Sequence, residues 1–262
     1  MMSVVPNLLD GLDPPFLLEE AMLRAGQRQV VQLLSPSEGR LAQCTSEGWM
    51  VAPFDGGERV PVDQIDARAV SGGYVSAFVG QRIAVERALV LHDIVWRSID
   101  LALRASFAEL QRQLGYPPCC IGAYVGSDDY GDGPMCAQVA GLSPQSGLPA
   151  VNNIFVMEHR LIPHWPCRFD CEASAKQGEA ALALVATQEP ERVAPLMKLL
   201  TAPLRTWDRL RFVMDHPDAG RITAERITSA PVVVDSEPFG EFYAQLPGLP
   251  EGGYPLHFSR EP

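Results

Sequence analysis

The segment Tyr116-Pro117-Pro118-Cys119-Cys120 is one of two short runs that together hold four of the six cysteines. The other is His164-Trp165-Pro166-Cys167-Arg168-Phe169-Asp170-Cys171-Glu172. A proline directly precedes the first cysteine of each pair, and such clustering is typical of a metal or redox centre. We therefore expect Cys119, Cys120, Cys167 and Cys171 to form one centre between secondary-structure elements.

The composition limits the classes of protein to which such a centre can belong. With 262 residues, 47% of them hydrophobic, the chain can bury a sizeable core. A formal net charge of -11 disfavours binding to nucleic acid or to an anionic membrane. No apolar run approaches the roughly 20 residues that span a bilayer, and the N-terminus lacks the pattern of a signal peptide. We expect a cytoplasmic protein, where clustered cysteines serve as ligands or catalysts rather than in disulfides.

Apolar spacing predicts the elements that precede the cysteines. It indicates a helix from Phe16 to about Leu34, strands and turns over residues 40–79, and a helical region over residues 81–114 with a break near His92. Gly115 and the two prolines after it should end that region. Cys119 and Cys120 are then expected just beyond a helix C-terminus.

The second cysteine run is predicted to precede a helix over residues 172–182, with Asp170 as its N-cap. The positive end of that helix favours the thiolate form of Cys171. A further helix is expected over residues 191–200, followed by a hairpin within residues 210–227 and a strand at 231–234.

These elements predict an α/β protein with a mixed α+β arrangement, in which central helices accompany a small antiparallel sheet. We expect two parts. Residues 1–80 would form an N-terminal α/β elaboration, and residues 81–262 a core domain that carries both cysteine motifs.

The spacing of the cysteines bears on the cofactor. Four thiolates can enclose one zinc ion or hold a 4Fe-4S cluster, and three thiolates leave one iron of a cluster open to a substrate. Structural zinc sites generally use Cys-x2-Cys or Cys-x4-Cys pairs, whereas this chain has a vicinal pair and a Cys-x3-Cys pair. A larger cluster tolerates a vicinal pair better, so the pattern favours an iron-sulfur cluster, with zinc as the alternative. A mononuclear metal that also uses His164 stays open.

Polar residues near the second run are candidates for catalysis. His164 could donate a proton to a substrate, bind a metal, or form a structural hydrogen bond. His159 and Arg160 could hold a carboxylate or a phosphate. Asn152 and Asn153 could contact a substrate or cap a turn.

Two further cysteines and one acidic segment favour simpler interpretations. Cys44 is expected to be a partly buried thiol. Cys136 could supply an extra ligand but is more readily explained as an incidental thiol. The acidic residues within 127–133 do not have the spacing of a calcium loop. Motifs typical of common nucleotide-binding enzymes and hydrolases are absent from the sequence.

Both cysteine motifs, together with residues around them, resemble those of a known protein family. Residues Leu114-Gly115-Tyr116-Pro117-Pro118-Cys119-Cys120-Ile121, Asn152-Asn153 and the run from Arg160 to Ser174 resemble an uncharacterised prokaryotic family known as a domain of unknown function. The match covers about the central third of the chain. It implies a bacterial or archaeal protein in which both motifs belong to one module, and it implies no particular activity.

The sequence leaves three hypotheses for function. The first is an iron-sulfur metalloenzyme acting on a small molecule or a biosynthetic intermediate, with lyase, sulfur-transfer and oxidoreductase chemistry all open. The second is a non-catalytic protein, stabilised by zinc or a cluster, that assists a biosynthetic enzyme. The third is a metal-free thiol redox enzyme in which Cys171 attacks and Cys167 resolves.

Overall fold

The described part of the chain contains two four-stranded antiparallel sheets. The computed structural model describes residues 17–55, 58–70, 75–97, 102–126, 138–156, 159–208, 211–216, 220–225 and 254–259. Within them the chain divides into two compact units, one from Leu17 to Val125 and the other from Gly126 onward. The boundary expected between residues 80 and 81, which would separate an N-terminal elaboration from a core domain, stays a prediction. Each unit is described by itself below.

The first unit contains a four-stranded antiparallel sheet in the order β1-β4-β2-β3. The strands are β1 (Val30–Leu34), β2 (Met50–Asp55), β3 (Glu58–Arg59) and β4 (Val75–Gly80), and its helices are α1 (Leu18–Arg24), α2 (Glu38–Ser46), α3 (Ile65–Val70), α4 (Arg82–Arg97), α5 (Ala102–Gln113) and α6 (Pro118–Gly126).

Side-chain alternation along the strands separates two apolar clusters. Val31 and Leu33 pack with Leu41 of α2 in one cluster, whereas Val30 and Phe78 pack with α4 and α5 in the other. Because neighbouring side chains of a strand point to opposite faces, this division places the helices of the two clusters on opposite faces of the sheet. β4 is buried along its whole length, as expected for a central strand that is covered on both sides.

Two predicted helices have different bounds. The helix expected from Phe16 to Leu34 is α1 followed by strand β1, because Gly26 has φ +68 and ends the helix, and the Gln27 N–H bonds to the Met22 carbonyl at 2.9 Å. The helical region predicted over 81–114 is confirmed as α4 and α5. The break near His92 is wrong, since His92 lies inside α4.

The second unit combines helices with a second antiparallel sheet. Its elements are β5 (Leu148–Pro149), α7 (Glu172–Gln188), α8 (Val193–Leu200), β6 (Leu204–Asp208), β7 (Arg211–His216), β8 (Gly220–Glu225), β9 (Tyr254–Leu256) and β10 (Phe258–Ser259). The order in the sheet is β8-β7-β6-β9, and β5 pairs separately with β10 in parallel. Both predicted helices and the predicted hairpin are confirmed, while the strand expected at 231–234 lies outside the described residues.

The architecture agrees with the mixed α+β arrangement predicted from the sequence, including the small antiparallel sheets and the cysteine cluster between elements. No helix in the described part of the chain has both the length and the apolar character needed to cross a membrane.

Candidate metal centre

The sulfur atoms of Cys119, Cys120, Cys167 and Cys171 all lie within 4.8 Å of one another. The prediction that the two cysteine runs come together is therefore confirmed, and the assignment of the four cysteines as metal ligands stays a prediction. No histidine or carboxylate of the described residues belongs to this group. The four thiols are not joined by disulfides, and four thiolates at this spacing can bind a metal.

The first pair lies just beyond the end of α5, as predicted, and at the same time at the start of helix α6, which was not predicted. Pro118 is the first residue of α6, so Cys119 and Cys120 occupy its first turn. The two prolines, which the sequence analysis interpreted as a stop, also begin a helix, because proline at the first helical position loses no intrahelical hydrogen bond. The Cys119 and Cys120 sulfurs are 3.9 Å apart.

The second pair ends at the start of helix α7. Cys171 itself is the N-cap residue, and its carbonyl accepts a hydrogen bond from the Ala175 N–H at 2.9 Å. The prediction of Asp170 as N-cap is wrong. The Asp170 carboxylate instead forms a bidentate ion pair with Arg168 at 2.9 and 2.8 Å. That pair raises the pKa of Arg168 above its usual value, and the nearby Cys167 contributes in the same direction.

Both cysteine pairs therefore adjoin helix N-termini. The unsatisfied N–H groups and the macrodipole at such an end favour negative charge. α6 has nine residues and α7 has seventeen, so each helix presents a full positive end. This placement lowers the cost of bringing several thiolates together.

Buried polar side chains hold the loop that carries Cys167 and Cys171. Asn152 is fully buried, and its side-chain Nδ2 donates to the carbonyl oxygens of Phe169 at 2.9 Å and of Cys171 at 3.1 Å. The Ser143 hydroxyl accepts the Phe169 N–H at 2.7 Å. The loop is thus anchored by hydrogen bonds to its backbone, independently of any metal.

Aromatic packing fixes the same loop from its apolar side. The Phe169 ring is fully buried, with its centroid 5.6 Å from that of Phe155 and 5.8 Å from that of Phe258. Asn153, the other asparagine of the predicted pair, bonds to the Leu200 carbonyl at 2.9 Å and accepts the Phe155 N–H at 3.0 Å. Both asparagines have backbone partners, so the interpretation as turn-stabilising residues fits them.

The proposed catalytic residues have different environments. His164 is buried, and its Nε2 lies 2.9 Å from the hydroxyl of Ser174 on α7. His159 and Arg160 are half-buried. None of the three belongs to the group of four cysteines. The geometry therefore does not support His164 as a metal ligand. Their catalytic roles stay predictions.

The approach to the first pair depends on a tight turn after α5. Gly115 has φ +75, its N–H bonds to the Arg112 carbonyl at 2.9 Å, and the Tyr116 N–H bonds to the Gln111 carbonyl at 3.1 Å. The guanidinium of Arg28 donates from Nη1 to the carbonyl of Leu114 and lies directly against Gly115. Burial lowers the pKa of Arg28 below its usual value.

Sequence reasoning missed several of these supporting residues. Arg28 lies far from the cysteines in sequence, and no local pattern identifies it. Ser143 and Ser174 likewise lack a signal that distinguishes them from ordinary surface serines. Of the other two cysteines, Cys44 is a free thiol, as predicted, but is fully rather than partly buried, and Cys136 lies outside the described residues.

Comparison with known proteins gives no relative from which an activity could be transferred. No family model, no curated protein and no solved structure matches the chain. A functional interpretation therefore depends on the geometry of the cysteine group.

Proposed function

We propose that the protein is a metal-binding protein in which Cys119, Cys120, Cys167 and Cys171 coordinate one tetrahedral ion, with zinc as the first candidate. The observation that carries this proposal is the mutual distance of at most 4.8 Å between the four sulfurs. Four bonds of about 2.3 Å to one central ion place tetrahedral sulfurs about 3.8 Å apart. The 3.9 Å between Cys119 and Cys120 matches that spacing without rearrangement.

The 4Fe-4S cluster predicted from the sequence is the second candidate. In a cluster of that type each cysteine binds a different iron, so the four sulfurs are more widely separated than on a single ion. The exposure of Cys119 is compatible with a cluster, because an exposed side chain can rotate outward to make room for additional irons and sulfides. The resemblance to an uncharacterised prokaryotic family is compatible with both candidates.

A divalent cation would also offset the charge of the four ligands once they bind it as thiolates. Four thiolates without a metal would repel one another, and a divalent cation reduces their formal charge from 4- to 2-. The N-termini of α6 and α7 favour the charge that remains. Soft thiolate sets of this kind select zinc or iron over calcium and magnesium, whose preferred ligands are oxygens.

Metal analysis of protein purified without oxygen tests the proposal. We expect about one zinc per chain and a colourless solution. About four irons with sulfide and a brown colour would replace the first candidate by the second. Metal-free protein that binds neither zinc nor a reconstituted cluster would refute both and leave the thiol redox hypothesis.

Two alanine variants make the assignment specific to these residues. Cys171→Ala should lose most of the bound metal, because it removes a half-buried ligand whose backbone is fixed at the start of α7. Cys44→Ala is the matched control, since Cys44 is a buried thiol that is not part of the group. It should retain the full metal content. Equal metal content in both variants would contradict the assignment of Cys171 as a ligand.

A further inference from the structure

The four ligands of the proposed centre differ in exposure. Cys119 is exposed, Cys167 and Cys171 are half-buried, and only 3% of the surface of Cys120 is accessible. Structural zinc sites are closed by their ligands, whereas reactive sites keep a position that solutes can reach. One ligand of this group therefore faces solvent while another belongs to the apolar core.

The ligands also differ in how firmly their surroundings hold them. Cys120 and the next residue, Ile121, are both buried on α6. Cys171 is held through its backbone by Asn152 and by the start of α7. The side chain of Cys119 is exposed at the first turn of α6, and its sulfur lies 3.9 Å from that of Cys120. An exposed side chain can turn toward solvent without opening the apolar core, so the Cys119 sulfur should leave a metal more readily than the sulfur of buried Cys120.

We propose that Cys119 is the exchangeable ligand of the centre and that its departure opens one position, which takes a thiolate from a small thiol in solution. The inference rests on the proposed mononuclear metal site. The soft character of the three remaining thiolates and of the ions they select favours a sulfur donor over carboxylate or phosphate.

The exchange is a balanced ligand substitution. The bond between the metal and the Cys119 sulfur breaks, and a bond between the metal and the sulfur of the incoming thiol forms. The incoming thiol releases its proton as it binds, and the Cys119 thiolate takes up one proton. No electron is transferred, so the step requires no oxidant or reductant.

Cobalt substitution provides the test, because the visible spectrum of tetrahedral Co2+ reports the number of thiolate ligands. We compare Cys119→Ser with Cys120→Ser, two changes at adjacent positions of one helix turn. Cys119→Ser should retain Co2+, and Cys120→Ser should weaken binding at least about tenfold more than Cys119→Ser does. Cys120→Ala repeats the comparison if the serine variant does not fold.

The incoming ligand is tested with 2-mercaptoethanol. Its addition to Co2+-loaded Cys119→Ser should restore the four-thiolate spectrum, whereas its S-methyl thioether, which has no acidic S–H, should not. Equal loss of metal in Cys119→Ser and Cys120→Ser would overturn the inference, as would a Cys119→Ser spectrum that saturating thiol leaves unchanged.

Two outcomes separate this inference from competing explanations. If Cys119→Ser shows a four-thiolate spectrum without added thiol and the further change Cys136→Ser abolishes it, the position is taken by Cys136 and the inference is refuted. If wild-type protein binds neither Co2+ nor zinc, the proposed mononuclear site itself fails, and the inference fails with it. A wild-type protein that binds one tetrahedral ion, with Cys119 as firmly required as Cys120, refutes the exchange alone.

Discussion

Replacing Gly115 by alanine should destabilise the protein through two separate effects on the turn that leads to Cys119. The first is conformational. Gly115 has φ +75, a backbone conformation in which a Cβ atom lies too close to the following carbonyl oxygen. For an L-residue this conformation costs about 1–2 kcal/mol.

The second effect is a collision with a buried cation. A Cβ at position 115 would lie 2.8 Å from Cζ and 3.2 Å from Cδ of Arg28, and closer still to Nη1. The guanidinium must then leave the Leu114 carbonyl, in a place where only 8% of Arg28 is exposed. Loss of a buried hydrogen bond to a charged group costs about 1.5–3 kcal/mol. Together the effects predict a loss of about 2.5–5 kcal/mol in the free energy of unfolding.

Urea denaturation of Gly115→Ala and of Gly48→Ala separates the two effects. Gly48 has φ +88, yet no heavy atom lies within 4 Å of a Cβ built there, so it carries the conformational cost alone. We expect a loss of about 1–2 kcal/mol for the control and a clearly larger loss for Gly115→Ala. Equal losses would show that the contact of Arg28 with this turn contributes nothing, and would refute the reasoning.

Three further outcomes follow from the described contacts. Gly178→Ala should lower the thermal midpoint by an amount equivalent to about 1–3 kcal/mol, because the new Cβ would lie 2.6 Å from Cβ of Val151; Gly122→Ala, which meets open space, should not lower it. Burial among aromatic rings lowers the pKa of His92 below its usual value. Below the pKa of His92 in the unfolded chain, about 6.5, the unfolded chain therefore binds more protons than the folded protein. The contribution of His92 to the free energy of unfolding is fully present above that pKa and is lost as the pH falls through the lower pKa of the folded state. Thermal melts between pH 8 and pH 5 should show this fall, and His92→Phe should reduce it; an unchanged fall in that variant would contradict the assignment. Burial raises the pKa of the Cys44 thiol, so it should react with a disulfide reagent far more slowly in native protein than in urea, and similar rates would show that it is accessible.

Much of the candidate site follows from residue types and their order. The clustering beside prolines singles out two cysteine pairs, and the structure brings their four sulfurs within 4.8 Å of one another. The N-terminal position of Cys171 on a helix was also predictable, since Glu172 and the alanine-rich residues after it favour helix formation.

The remaining features depend on contacts between distant residues. Arg28 contacts the turn at Leu114 and Gly115 only after β1 and α5 have packed, so no local pattern reveals it. Pro118 illustrates a different difficulty, because a proline is compatible with the end of one helix and the beginning of the next. The segment from Val30 to Leu34 is similarly ambiguous, and its pairing with β4 decides in favour of a strand.

The arrangement of the cysteines in two pairs has a consequence for chain entropy. A metal bound by all four would tie Cys120 to Cys167 and close residues 121–166 into a loop. A cross-link over roughly 50 residues removes about 4 kcal/mol of conformational entropy from the unfolded chain, if it persists there. If the metal instead dissociates on unfolding, the folded state gains stability with each increase in metal concentration. The same four sulfurs would then form a cross-link whose contribution to the free energy of unfolding depends on the metal concentration of the surrounding solution.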